Sequence, residues 1–170
     1  MNEENSEKLL LDLALHRYDE EVERNDSIDN KNKSMVAFLA VMLTIQCTIL
    51  PRLIEFRAIL SSFEVITIFS IFLISLGFNL ASLLVFMSTL NNLNQLRAVP
   101  NIDTLLDFEL TGSSHDEIVS STIVSLNNCI EDNDDILDKK NSKGHLGLRL
   151  MKYGVCSTVI FIICIILIVM

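Results

Sequence analysis

The chain has 170 residues, half of them hydrophobic and 21% charged, with a formal net charge of −9. That balance argues against a nucleic-acid partner, which needs a surplus of Lys and Arg to neutralise phosphates, and against general adhesion to anionic lipid. Apolar and charged residues fall in separate blocks, the mark of a membrane protein. The expected fold is all-α, with three transmembrane helices and cytoplasmic helices packing as a small bundle.

Residues 1–33 are polar and acidic. Glu3, Glu4, Glu7, Glu20, Glu21 and Glu23 stand where a secretory signal would have a basic start and an apolar run. The first apolar run, from Ser34, is therefore expected to stay in place as a signal anchor. Leu11, Leu15, Tyr18 and Val22 recur at helical spacing and predict an amphipathic cytoplasmic helix with a narrow packing stripe.

The first membrane segment is 34–50, SMVAFLAVMLTIQCTIL, which holds no charge. Its helical rise of about 25 Å is marginal for a hydrocarbon core of about 30 Å. Lys31 and Lys33 at one end and Arg52 at the other can snorkel to close the gap, and Pro51 is expected to mark the exit. Residues 51–64 place Leu53, Phe56, Ile59, Leu60 and Phe63 at helical spacing between charged residues. They read either as a short helix in the headgroup layer or as extensions of the two membrane helices into one hairpin.

The second segment, 65–88, is long enough to tilt. Gly77 and Ala81 are four apart, as are Ser75 and Asn79, a spacing that lets helices approach closely. Residues 89–152 are polar again and predict a cytoplasmic helical region. Ala98 to Gly112, with Pro100 inside, reads as a loop. Ser114-x-x-Glu117 is a capping box. It precedes a stripe of Val119, Ile123, Leu126, Ile130, Asn133 and Leu137, in which Asn133 is placed to set register. Gly144 and Gly147 leave room for a bend. The third segment, 153–170, is the most hydrophobic stretch, apolar on every side as a lipid-buried helix is.

Lys and Arg near the membrane ends set orientation. Arg24, Lys31 and Lys33 flank the first segment and Lys139, Lys140, Lys143, Arg149 and Lys152 precede the third, against Arg52 and Arg57 in the hairpin turn. This predicts a multi-pass membrane protein. The N-terminus and residues 89–152 are then cytoplasmic, with the turn and the C-terminus outside.

Little in the chain points to chemistry. His16, His115 and His145 each stand alone, so no metal site is expected. Nor are there phosphate-loop, dinucleotide or nucleophile-elbow glycine patterns. With no convergent catalytic set, neither enzyme activity nor a cofactor is expected. The acidic run Glu131, Asp132, Asp134 and Asp135 lacks a calcium loop's central glycine and closing glutamate and reads as a solvated face. Cys47, Cys129, Cys156 and Cys164 read as reduced, buried small residues. No acidic or basic residue lies within the three membrane segments, which argues against a proton-coupled transporter or voltage sensor. Gln46 and Asn79 are the polar side chains deep in the membrane. Hydrogen bonding between helices is their expected role, with pore lining the alternative. Lys139, Lys140, Lys143, Arg149 and Lys152 read first as positive-inside flanking charge, with a phosphate-binding cluster the alternative.

The run from Ser27 to Phe38, with Asp29 and Lys31 before the apolar segment, resembles the D-x-K approach to the first membrane helix of small prokaryotic membrane effectors. These are the Pycsar transmembrane effectors and related defence proteins. They share an N-terminal helix, a two-helix membrane hairpin and a cytoplasmic stretch after a proline. A Lys/Arg-rich helix then runs into a last membrane helix. Pro100, Lys143, Leu148, Arg149 and Lys152 sit where that layout places them, and Asn32 stands where the family usually has alanine. The resemblance implies a non-enzymatic effector of antiphage defence. A cyclic nucleotide bound by the cytoplasmic part would make it assemble as a homo-oligomer or rearrange, and so impair the membrane. Favouring one arrangement over another requires differential binding. A scaffolding membrane protein whose cytoplasmic helices bind a protein partner is the alternative.

Overall fold

The computed structural model describes residues 3–56, 61–91, 96 and 114–169. Among these residues the protein is all-helical, built from α1 (Glu3–Phe56), α2 (Ser62–Asn91) and α3 (His115–Val169). Each of the three is long and apolar enough to cross a membrane.

Two helix starts are capped by the same device. At α3 the expected box forms: Ser114 N donates to Glu117 Oε2 at 3.0 Å, and Glu117 N donates to Ser114 Oγ at 3.4 Å. The start of α2 repeats it, with Ser61 N and Oγ donating to Glu64 Oε2 at 3.0 and 2.7 Å. Each box satisfies donors that a helix N-terminus otherwise leaves free. Pro51 lies inside α1, not at its exit. It lacks the N–H that would bond to the Cys47 carbonyl, yet the helix continues to Phe56. Residues 51–56 and 62–64 thus extend the two membrane helices instead of forming a separate helix. Residues 57–60 and the expected 98–112 loop lie outside the described residues.

The chain divides into two compact units, Met1–Ile28 with Asn92–Lys140 and Asp29–Asn91 with Asn141–Met170. In the first, α3 buries Leu126, Ile130, Asn133 and Leu137, and Cys129 beside them. Arg24 Nη1 and Nη2 donate to Asp134 Oδ1 at 2.9 Å and Asp138 Oδ1 at 3.0 Å. Lys140 Nζ donates to Asn25 Oδ1 at 2.7 Å. The inward stripe of α1 differs from the expected one. Leu11, Ala14, Tyr18, Glu21 and Asn25 are turned inward, and Leu15 is exposed. Of the expected stripe, Val22 is half-buried like Leu11 and Tyr18, and beside it the polar Glu21 is buried.

In the second unit, α2 buries Ile68, Phe72, Ser75, Asn79, Ser82, Phe86 and Thr89, alternating steps of four and three. Facing them, α1 buries Asn32, Leu39 and Gln46, seven apart, and α3 buries Gly144, Gly147, Gly154, Thr158 and Phe161. A 3.5-residue repeat on all three helices is the packing of a left-handed coiled coil. Ile68, Phe72 and Phe161 form an apolar layer with Ile49, Leu50, Ile71, Leu76 and Ile165 packed on it. The Phe72 and Phe161 ring centroids lie 5.3 Å apart.

The glycines act differently from expectation. Gly77 is exposed, and a Cβ there would meet nothing. Close approach occurs instead at Gly147, where a Cβ would lie 2.9 Å from the Phe86 ring, and at Gly154, where it would overlap Asn79 Oδ1. Gly144 and Gly147 sit in unbroken helix and serve contact, not a bend. The cysteines are free, as expected, but only Cys129 is buried; Cys47 and Cys156 are exposed and Cys164 is partly so.

Candidate functional site

The interior of the second unit is polar where a water-soluble bundle would be apolar. Its centre is a layer contributed by all three helices. Gln46 Nε2, from α1, donates to Ser75 Oγ of α2 at 2.7 Å and to Thr158 Oγ1 of α3 at 3.0 Å. The Ser75 and Thr158 hydroxyls are 2.6 Å apart and both reach the Gly154 carbonyl, at 3.3 and 2.8 Å. Asn79 Nδ2 makes a long contact of 3.5 Å to Thr158 Oγ1. A helix in lipid holds its partners by such bonds because the hydrocarbon surrounding it is as apolar as leucine.

Two acceptors in this layer have no donor. Gln46 Oε1 and Asn79 Oδ1 are buried without a hydrogen-bond partner. Exchanging the oxygen and nitrogen of the Gln46 amide would only leave the NH2 end unpaired instead. Each such group costs about 1–3 kcal/mol.

A second polar layer lies nearer the start of the unit. Asn32 Nδ2 donates to Thr89 Oγ1 at 3.1 Å, beside Gly144, where a Cβ would lie 3.5 Å from Asn32 Oδ1. The two layers share one spacing. Asn32 to Gln46, Ser75 to Thr89 and Gly144 to Thr158 are each fourteen residues apart, about 21 Å along a helix. Between them Ser82 Oγ donates to the Gly147 carbonyl at 2.8 Å.

Of the residues singled out in sequence, Gln46 and Asn79 meet in this layer. Asp29 is half-buried and Lys31 exposed; their neighbour Asn32, where the resembled family has alanine, makes the buried contact. The basic cluster does not converge. Lys140 turns inward to Asn25, while Lys139, Lys143, Arg149 and Lys152 are exposed. At 100° per residue, Lys143 and Lys152 fall on opposite sides of α3. Among the described residues no group of three or more His, Cys, Asp or Glu is placed to hold a metal. His16 pairs with Glu20 at 3.5 Å on the surface.

In the first unit, Glu21 is buried and its Oε2 has no partner. Burial pushes its carboxyl above the ordinary glutamate range. Asp134 adds to that push, and Arg17 and Arg24 oppose it.

Ser82, Thr89, Thr158 and Asn32 escaped the sequence reading. For three of them the signal was available as register. Ser82 and Thr89 stand at sums of threes and fours from Asn79 along α2, and Asn32 stands two heptads before Gln46 along α1. Thr158 carried no such mark. No protein-family model, curated protein or solved structure matches the chain.

Proposed function

We propose that the protein is a non-enzymatic effector of the cell (inner) membrane that impairs that membrane, its cytoplasmic helices controlling the membrane helices. The observation that carries this reading is the polar layer. Three helices held together in lipid by a few hydrogen bonds, with two carbonyls unpaired, are closer to rearrangement than three held by apolar packing. The N-terminus and residues 89–152 are cytoplasmic, and the turn after α1 and the C-terminus lie outside, from the Lys and Arg bias. The trigger is a cyclic nucleotide and the setting antiphage defence, both from the resemblance described above. The active form is a homo-oligomer.

Expressing the protein with and without a co-expressed nucleotide cyclase, while following membrane potential and growth, tests this reading. Depolarisation and arrest are expected only with the cyclase, and an unchanged potential with every cyclase removes the trigger. Lys139→Gln with Lys143→Gln should weaken the response; an unchanged response removes those lysines as the sensor.

A second reading, a scaffold whose cytoplasmic helices bind a protein partner, draws on Leu9, Leu10 and Leu13. These are 67%, 52% and 56% exposed on one side of α1, which is unusual for leucines outside a membrane segment.

A further inference from the structure

The layer of Gln46, Ser75, Asn79 and Thr158 is fully buried or nearly so, and it is bounded by apolar layers along the helices. On one side lie Ile68, Phe72 and Phe161. On the other lie Leu39 and Phe86, both buried, with the Phe86 ring on Gly147. We propose that this interior is the path by which water and small ions cross when the protein acts. The polar layer is its chamber, and the Ile68–Phe72–Phe161 layer is the gate that keeps it dry. The proposal deepens the effector reading and rests on it.

Three observations support the assignment. First, every hydrogen bond of the layer is one that water can replace, and the Gln46 and Asn79 carbonyls would gain donors they now lack. Hydration is therefore more favourable here than in a layer already satisfied. Second, α2 and α3 meet at Gly147 and Gly154, where side chains of α2 lie against bare backbone. Little apolar area has to be exposed when they part there. Third, Ile68, Phe72 and Phe161, with Ile49 and Leu50 of α1 packed against them, close one end of the polar layer with apolar side chains, and an apolar constriction blocks ions by shedding water. The outward faces, with Val41, Leu73, Ile74 and Leu84 exposed, take no part in the path.

The test uses the full chain in phosphatidylcholine–phosphatidylglycerol vesicles loaded with potassium chloride. Phe72→Ser and Phe161→Ser should each raise potassium efflux by about tenfold or more, the effect of lowering a barrier by roughly 1.4 kcal/mol. Leu73→Ser and Leu84→Ser, on the lipid face, should not. In a chain whose native cysteines are alanine, Ser75→Cys and Ser82→Cys should react with a water-soluble methanethiosulfonate when combined with Phe72→Ser, and Leu84→Cys should not. Circular dichroism confirms that the variants stay helical; if Phe72→Ser does not, the smaller polar change Ile68→Thr is read the same way. Equal efflux from gate and lipid-face variants, or unreactive Ser75→Cys in a leaky chain, overturns the proposal. Leaky gate variants of a chain that never arrests growth keep the path and remove the effector reading. An arresting chain whose gate variants leak no more than the parent does the reverse.

Discussion

Asn79 and Ser75 stand one turn apart on α2 and make opposite contributions to the same layer. Asn79 has one long bond and an unpaired oxygen, so Asn79→Leu, close in shape, should stabilise the bundle by about 1 kcal/mol. Ser75 accepts from Gln46, and Ser75→Ala would leave one of the two Gln46 N–H groups unpaired, the other still bound to Thr158, and should cost about 1–2 kcal/mol. Thermal unfolding in detergent micelles reads both signs. Glu21 makes a prediction in pH. Its carboxyl titrates higher in the folded chain than in the unfolded one, so the folded state holds more protons between the two values. Stability is then fully present at acid pH below the ordinary glutamate range and falls as pH rises through the raised value. Glu21→Gln should be more stable than the parent at neutral pH and flat across that window. A parent whose unfolding midpoint is constant there contradicts this account.

The three membrane helices were legible in sequence because an unbroken run of about eighteen uncharged apolar residues is seldom anything but a bilayer crossing. The α3 capping box was legible because Ser and Glu three apart carry their own mechanism. The α3 stripe was legible too, its Leu126, Ile130, Asn133 and Leu137 all buried, but the inward sides of α1 and α2 were not. In water the buried face is expected to be the apolar one, so a search for apolar residues took in the exposed Leu15 and passed over Glu21 and Asn25. In lipid apolarity is uniform and marks no face, and the buried side of α2 is recognisable only by polar residues recurring at 3.5. Gly77 stood out because Ala81 follows it one turn later, yet it faces outward. Gly154, followed at the same spacing by the bulkier Thr158, carries the contact. Gly154→Ala should therefore cost about 1–3 kcal/mol by displacing Asn79. Gly77→Ala, with open space around it, should be neutral or stabilise α2 by up to about 1 kcal/mol. Equal effects in an unfolding assay would mean the α2–α3 contact lies elsewhere.

Taken as a whole, the membrane unit inverts the rule of soluble proteins. Ile66, Leu73, Leu84, Val159 and Leu167 face outward, while Asn, Gln, Ser and Thr are fully buried, a surface that would aggregate in water. Three crossings would put the two ends of the chain on opposite sides of a bilayer. In right-side-out vesicles Ser62→Cys should then react with an impermeant thiol reagent, and Ser27→Cys only after permeabilisation; the reverse pattern would invert the orientation proposed above. The matched spacing of the two polar layers constrains how such a unit moves. They act like two rungs of a ladder bolted to the same three rails. Sliding α1 lengthwise by a heptad shears both rungs together and sets Leu39 among the hydroxyls of Ser75 and Thr158. Pivoting about one rung strains only the other. The cheapest motion is therefore a splaying hinged at the Asn32–Thr89 end, not a piston stroke.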